Sequence, residues 1–312
     1  MINLVKSEVK KVIVGQEELV NGMLIALFCE GHIFVEGMPG LAKTTAINSL
    51  AKALGFTFKR VQFTPDLLPS DITGSEILDL KNNDFKIKHG PIFTNLLLAD
   101  EINRAGAKVQ SALLEAMAEK QVTIGDETFK LPYPFMVLAT ANPVEQEGTY
   151  DLPEASLDRF MLKIKVSYNT IEEEFEIVQR VAKKGFETIQ KVLSFDDFTT
   201  IKQKIKDVHI DDELSRYILN IIFATRNPEN YGLEELKEFI DFGASPRASI
   251  DLYKAAKAYA FLDGKDFVTP YDISKVAFLV LRHRIILNYQ ALSKDLTTDD
   301  IIKKILEKLP KP

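Results

Sequence analysis

Gly37-Met38-Pro39-Gly40-Leu41-Ala42-Lys43-Thr44 is the stretch on which the reading of this chain turns. It nearly matches the phosphate-loop pattern GxxxxGK[ST], and it stands after an apolar strand candidate, His32 to Gly37, and before a helical pattern, as that motif requires. Small residues let backbone N–H groups wrap phosphates, and a helix N-terminus supplies the positive end of a dipole. Lys43 is suited to the β- and γ-phosphates and Thr44 to a Mg²⁺ ion, with Gly37, Pro39, Gly40, Leu41, Ala42 and Thr45 completing the cradle. Ala42 replaces the final glycine, and a helical backbone is expected there, because a left-handed one would strain an alanine.

Working outward, Leu96-Leu97-Leu98-Ala99-Asp100-Glu101 is an apolar strand ending in two acids. Behind a phosphate loop this is the form of a Walker B element: Asp100 would hold Mg²⁺, and Glu101 would orient and deprotonate the attacking water. The next strand candidate, Phe135 to Thr140, leads into Asn142-Pro143, which puts an uncharged amide at the carboxyl edge of the sheet, where ligands of open α/β folds collect. Phe56 to Phe63 is a further strand candidate, and Gln16 to Glu30 reads as an amphipathic helix.

Strand and helix alternate through this half, which argues for a parallel sheet covered by helices. Two hairpins interrupt it, GSEILDL with DFKIKHG around Lys81 to Asp84, and QVTI with ETFKL around the Gly125-Asp126 turn. Beyond about Tyr168 no further strands are expected, and helices punctuated by Pro228, Pro246 and Pro270 run to the C-terminus. The expected division is a nucleotide-binding core over residues 1–185 and a small all-helical lid over residues 186–312.

Composition narrows the function classes. A chain of 312 residues has length for two domains. Its formal charge of −6 disfavours nucleic acid as a partner, since phosphate neutralisation calls for a cationic excess. Cys29 is the single cysteine, so no internal disulfide framework or thiolate zinc site is available; it reads as a small buried residue. The four histidines are scattered without metal-ligand spacing. The longest apolar run is too short to cross a bilayer and no secretory signal is evident, so a cytoplasmic location is expected.

Assembled, these residues resemble the AAA+ superfamily, and Arg60-Val61-Gln62-Phe63-Thr64-Pro65-Asp66-Leu67-Leu68-Pro69-Ser70-Asp71-Ile72-Thr73-Gly74 resembles the MoxR family specifically. Gly90-Pro91-Ile92-Phe93, Asp100 to Ala105 and Leu152 to Phe160 support the resemblance, which runs from about Val14 to Arg284. It implies a P-loop core with an inserted hairpin, ATP and Mg²⁺ as cofactors, and a homo-oligomeric ring, a hexamer by family. It further implies chaperone-like remodelling of client proteins, often beside proteins with von Willebrand factor A domains.

By the same resemblance, Asn142 matches the sensor-one position, Arg159 an arginine finger serving a neighbouring subunit, and Arg247 the sensor-two arginine of the lid. Val14, Gly15 and Gln16 resemble the loop beside adenine. The inserted hairpin, with Phe85, Lys86, Ile87 and Lys88, is a candidate for gripping a partner. For Arg104, a contact to the γ-phosphate or a neighbouring subunit and a structural ion pair are both open. A nucleotide-switched scaffold with negligible turnover and the motor subunit of a metal chelatase are the competing functions.

Overall fold

The computed structural model describes the chain except for Pro39, Asn82, residues 143–148, Phe186 and the side chains of residues 181–184. Its elements run α1 (Ile2–Lys10), α2 (Glu17–Phe28), β1 (Ile33–Gly37), α3 (Lys43–Leu54), β2 (Phe58–Gln62), α4 (Pro69–Thr73), β3 (Gly74–Asp79), β4 (Asp84–His89), β5 (Leu96–Asp100), α5 (Ala107–Glu119), β6 (Gln121–Ile124), β7 (Glu127–Lys130) and β8 (Met136–Ala141). There follow α6 (Glu154–Leu157), β9 (Leu162–Val166), α7 (Ile171–Lys184), α8 (Phe195–Asp207), α9 (Asp212–Arg226), β10 (Ile240–Phe242), α10 (Pro246–Leu262), α11 (Pro270–Leu281), β11 (Ile286–Leu287), α12 (Tyr289–Ser293) and α13 (Thr298–Lys308).

The main sheet has the order β2-β5-β8-β1-β9, with parallel pairing along β2-β5, β5-β8 and β8-β1. Leu96 to Ala99 and Met136 to Thr140 are buried without interruption, the signature of strands covered on both faces. By contrast β2, at the sheet edge, leaves Lys59 and Arg60 exposed and buries Val61. Opposite β5, Gln62 pairs in register with Asp100, so the polar end of β2 lies beside the acids. α3 buries Ala46, Ile47, Leu50, Ala51 and Leu54 at helical spacing and stops at Gly55, whose left-handed backbone closes the last turn.

Both hairpins form where expected, β3 with β4 and β6 with β7. Strand β9 lacks a counterpart in the sequence reading, although Leu162, Ile164 and Val166 are buried between two lysines at strand period. The expectation that strands cease after Tyr168 is corrected: β10 and β11 form a short antiparallel ribbon among the later helices. Strands of two and three residues are too short to carry a periodic signal.

The chain forms two compact units, one comprising Met1–Met23, His32–Pro153 and Ile164–Phe198, the other Leu24–Gly31, Glu154–Lys163 and Thr199–Pro312. The division proposed at 185 and 186 adjoins Phe186, outside the described residues. In the second unit, helix starts are fixed by side chains: Ser245 caps α10 ahead of Pro246, and Thr269 with Asp272 and Thr297 with Asp300 form capping boxes on α11 and α13. Among the described residues no helix is long and apolar enough to cross a membrane.

Candidate functional site

Two cavities of the first unit share one wall. The polar one, about 300 Å³, is lined by Gly40 to Thr45, Arg60, Asp100, Glu101, Thr140 and Asn142. The other, about 460 Å³ and mainly apolar, is lined by Val12, Ile13, Val14, Gln16, Asn169, Glu174, Ile177 and Val178, together with Gly40, Leu41, Ala42 and Thr45. The loop after β1 therefore separates a charged chamber from an apolar one. That pairing suits a ligand with a polyanionic end and an aromatic end.

The loop's backbone differs from the expectation at one position. Ala42 has φ 55° and ψ 16°, a left-handed conformation, and α3 begins at Lys43, so the helical backbone expected for Ala42 is corrected. Gly40 is also left-handed, at φ 83°. Alanine lacks glycine's freedom there and carries a strain of roughly 1–2 kcal/mol. Glu101, at φ 56°, and Gln16, at φ 55°, are left-handed as well, so three non-glycine residues in this conformation line the two cavities. Such backbone persists where surrounding contacts over-determine it, as at binding sites. Pro39 lies outside the described residues, and Gly37 ends β1.

Lys43 donates to the Gly37 carbonyl at 2.7 Å. Desolvation holds its ammonium below the usual lysine range, against the opposing pull of Asp100 and Glu101. An ammonium satisfied by one carbonyl in a half-buried chamber favours an anionic ligand.

The acids are held from two sides. From β8, the Thr140 hydroxyl donates to Asp100 Oδ1 at 2.6 Å and accepts from the Glu101 amide at 2.9 Å. From β2, Arg60 donates through Nε and Nη2 to Asp100 Oδ2 at 3.0 and 2.7 Å. Gln62 donates to Glu101 Oε2 at 2.7 Å, and Arg104 donates to the same oxygen at 3.1 Å. Of the two readings open for Arg104, the structure contains the ion pair. Asn142 lies buried in the same lining. The residues after it, 143–148, fall outside the description.

The sequence reading gave no role to Thr140, Arg60 or Gln62. Thr140 precedes Asn142 by two residues and lines the same chamber, and Arg60 and Gln62 stand two apart on β2. That spacing was the only available signal.

At the apolar chamber, Gln16 donates to Asn169 Oδ1 and to the Ser167 carbonyl, both at 3.0 Å, and Asn169 returns a bond to the Val14 carbonyl at 3.0 Å. This pins the Val14-Gly15-Gln16 loop. Asn169 and the α7 residues Ile177 and Val178 were not foreseen, being far away in sequence.

Arg159 and Arg247 belong to the second unit. Arg159 is exposed. Its neighbour Asp158 is fully engaged: Arg284 donates to Oδ1 at 2.9 Å, Ser245 to Oδ1 at 2.8 Å, and Arg247 to Oδ2 at 3.3 Å. Arg284, only 1% exposed, also pairs with Asp251 at 2.6 Å and donates to the carbonyls of Asp158 and Phe160, both at 3.0 Å. Cys29 is partly buried, and desolvation pushes its thiol up to about 12.

Thr44 and Asp100 offer hard oxygen donors within one lining, a set that fits Mg²⁺, which keeps several waters and takes few protein ligands. Among the described residues no cluster of three His, Cys, Asp or Glu suggests another metal.

Comparison with known proteins gives the family and the fold. Residues 32–162 match the family of ATPases associated with various cellular activities, and residues 235–305 match the AAA lid domain. "Chaperone MoxR1" of Mycobacterium tuberculosis is 46% identical over 98% of this chain and 81% of its own length. "Protein MoxR" of Methylorubrum extorquens is 29% identical over 98% and 93%. A crystal structure from Cytophaga hutchinsonii superposes with a TM-score of 0.94 at 51% identity, over 100% of this chain and 94% of that one. The chain belongs to the MoxR family of AAA+ ATPases.

Proposed function

We propose that this chain binds ATP across its two joined cavities and hydrolyses it within a cytoplasmic homo-oligomeric ring, a hexamer by family, to remodel or mature a client protein complex. The observation that carries the reading is the shared wall of Gly40, Leu41, Ala42 and Thr45, with Lys43, Asp100, Glu101 and Asn142 around the polar chamber and apolar side chains around the other.

Triphosphate lies along the loop, where the Lys43 ammonium exchanges the Gly37 carbonyl for phosphate oxygens. Thr44 and Asp100 would hold Mg²⁺, which supplies charge neutralisation on the phosphates when bound. Glu101 takes a proton from the attacking water, and Asn142 orients that water without adding charge. Arg159 reaches a neighbouring subunit's ATP, and Arg247 leaves Asp158 for the γ-phosphate as the lid closes, so that hydrolysis becomes a change in lid position. Val14 and Gly15 border the base.

The test is Mg²⁺-dependent ATP hydrolysis over a protein-concentration series. Specific activity should rise with concentration, and Glu101→Gln and Arg159→Ala should each lower it by about a hundredfold or more while ATP binding persists. Tight ATP binding with turnover no faster than Glu101→Gln at every concentration would instead favour a nucleotide-switched scaffold.

The β3-β4 hairpin exposes Leu80 at 84% and Phe85 at 65%, beside the Lys86 to Asp79 ion pair, an apolar tip among paired charges suited to a client or a von Willebrand factor A partner. Phe85→Ser should leave basal hydrolysis unchanged and abolish client-dependent stimulation. Full stimulation of the variant by client would remove the hairpin from the mechanism.

A further inference from the structure

Arg60 is the one cationic side chain of β2 that reaches the acids, and its arrangement carries a consequence for metal binding. The two oxygens of Asp100 have partners of different kinds. Oδ1 accepts from a buried neutral hydroxyl, Thr140, at 2.6 Å. Oδ2 accepts twice from a guanidinium that is itself 48% exposed. The same Nη2 donates to Gln62 Oε1 at 2.8 Å, and Gln62 in turn donates to Glu101 Oε2 at 2.7 Å. One side chain thus neutralises the candidate metal ligand and orients the amide that holds the candidate base.

A guanidinium and a divalent cation on one carboxylate oxygen repel each other, and the half-exposed, long-stemmed partner is the one free to leave. We propose that Arg60 is a resident counter-cation of Asp100, a positioning residue that competes with Mg²⁺ for the Asp100 carboxylate. The inference rests on the nucleotide-binding reading above. It accounts for an arginine on an edge strand facing the pocket, where two adjacent acids, Asp100 and Glu101, share the chamber with the single ammonium of Lys43.

The measurement is the affinity for a mant-labelled, non-hydrolysable β,γ-imido ATP analogue, taken once in EDTA and once in excess Mg²⁺; the ratio of the two is the metal-linked gain. Arg60→Gln should raise that gain by about fivefold, the size of one half-exposed ion pair. Arg60→Lys, which keeps the charge but not the paired donors, should give a gain between those of wild type and Arg60→Gln, and it carries the test should Arg60→Gln fail to fold. An unchanged gain, with binding weakened equally in both conditions, would make Arg60 a phosphate contact and overturn the inference while leaving nucleotide binding intact. A reduced gain would overturn it too. Absence of analogue binding by folded wild-type protein in either condition would overturn the nucleotide reading, and this inference with it.

Discussion

Ala42 and Glu101 both line the polar chamber with a left-handed backbone, and neither is a glycine. For Ala42 the strain has no side-chain compensation, so Ala42→Gly should stabilise the ligand-free chain by about 0.5–1 kcal/mol, less whatever glycine adds to the entropy of the unfolded state. Urea unfolding with the denaturant slope held constant measures it, and a loss of stability would mean that the left-handed geometry at Ala42 is not the dominant one. Glu101 differs, because its amide bond to Thr140 and its carboxylate bonds to Gln62 and Arg104 tie the residue down from three directions. Asp158 shows how partner choice escapes local reading. Flanked by Arg159, it is instead satisfied by Arg284, Ser245 and Arg247, between 87 and 126 positions away in sequence.

At the scale of elements, His32 joins three of them. From its place before β1 it accepts from the Val137 amide of β8 through Nδ1 at 3.0 Å, and its Nε2 faces the Met117 carbonyl of α5 at 3.2 Å, which fixes a neutral ring with the proton on Nε2. Burial lowers its pKa to about 4. His283, whose Nε2 faces the Phe160 carbonyl at 2.9 Å, is driven down likewise, by burial and then by Arg284. In both cases the unfolded chain binds the proton more readily than the folded one, so stability is complete above the unfolded value of about 6.5 and is lost as pH falls from there. For His32 the loss continues to about pH 4, with a slope of at most about 1.4 kcal/mol per pH unit. Chemical denaturation at pH 7 and pH 5 should show this, and His32→Gln should flatten the dependence. An unaltered slope in that variant would assign the acid sensitivity elsewhere.

For the molecule as a whole, both units have apolar interiors, and each sets a different polar feature against its own. The first rests on apolar strands whose carboxyl ends present the loop and the acids. The second carries a buried arginine whose guanidinium binds two carboxylates and several carbonyls. Removing it leaves Asp251 without its paired guanidinium and Asp158 without its buried one, so Arg284→Ala should destabilise the second unit by about 3–5 kcal/mol. Calorimetry should show the later helices melting earlier, and unfolding unchanged from wild type would contradict the network.

The sequence by itself determined the strand-loop-helix unit at Gly37 to Thr44, the acid pair at the end of a buried strand, the two hairpins and the family, because each is written in neighbouring residues whose period and turn chemistry act locally. Tertiary structure alone decided that Ala42 is left-handed, that Arg60 and Thr140 share Asp100, that Asn169 closes the apolar chamber, and that β10 and β11 pair. Those outcomes depend on which distant side chains arrive at the same place, and a short polar side chain fits many partners equally well until the packed strands bring one within hydrogen-bonding distance.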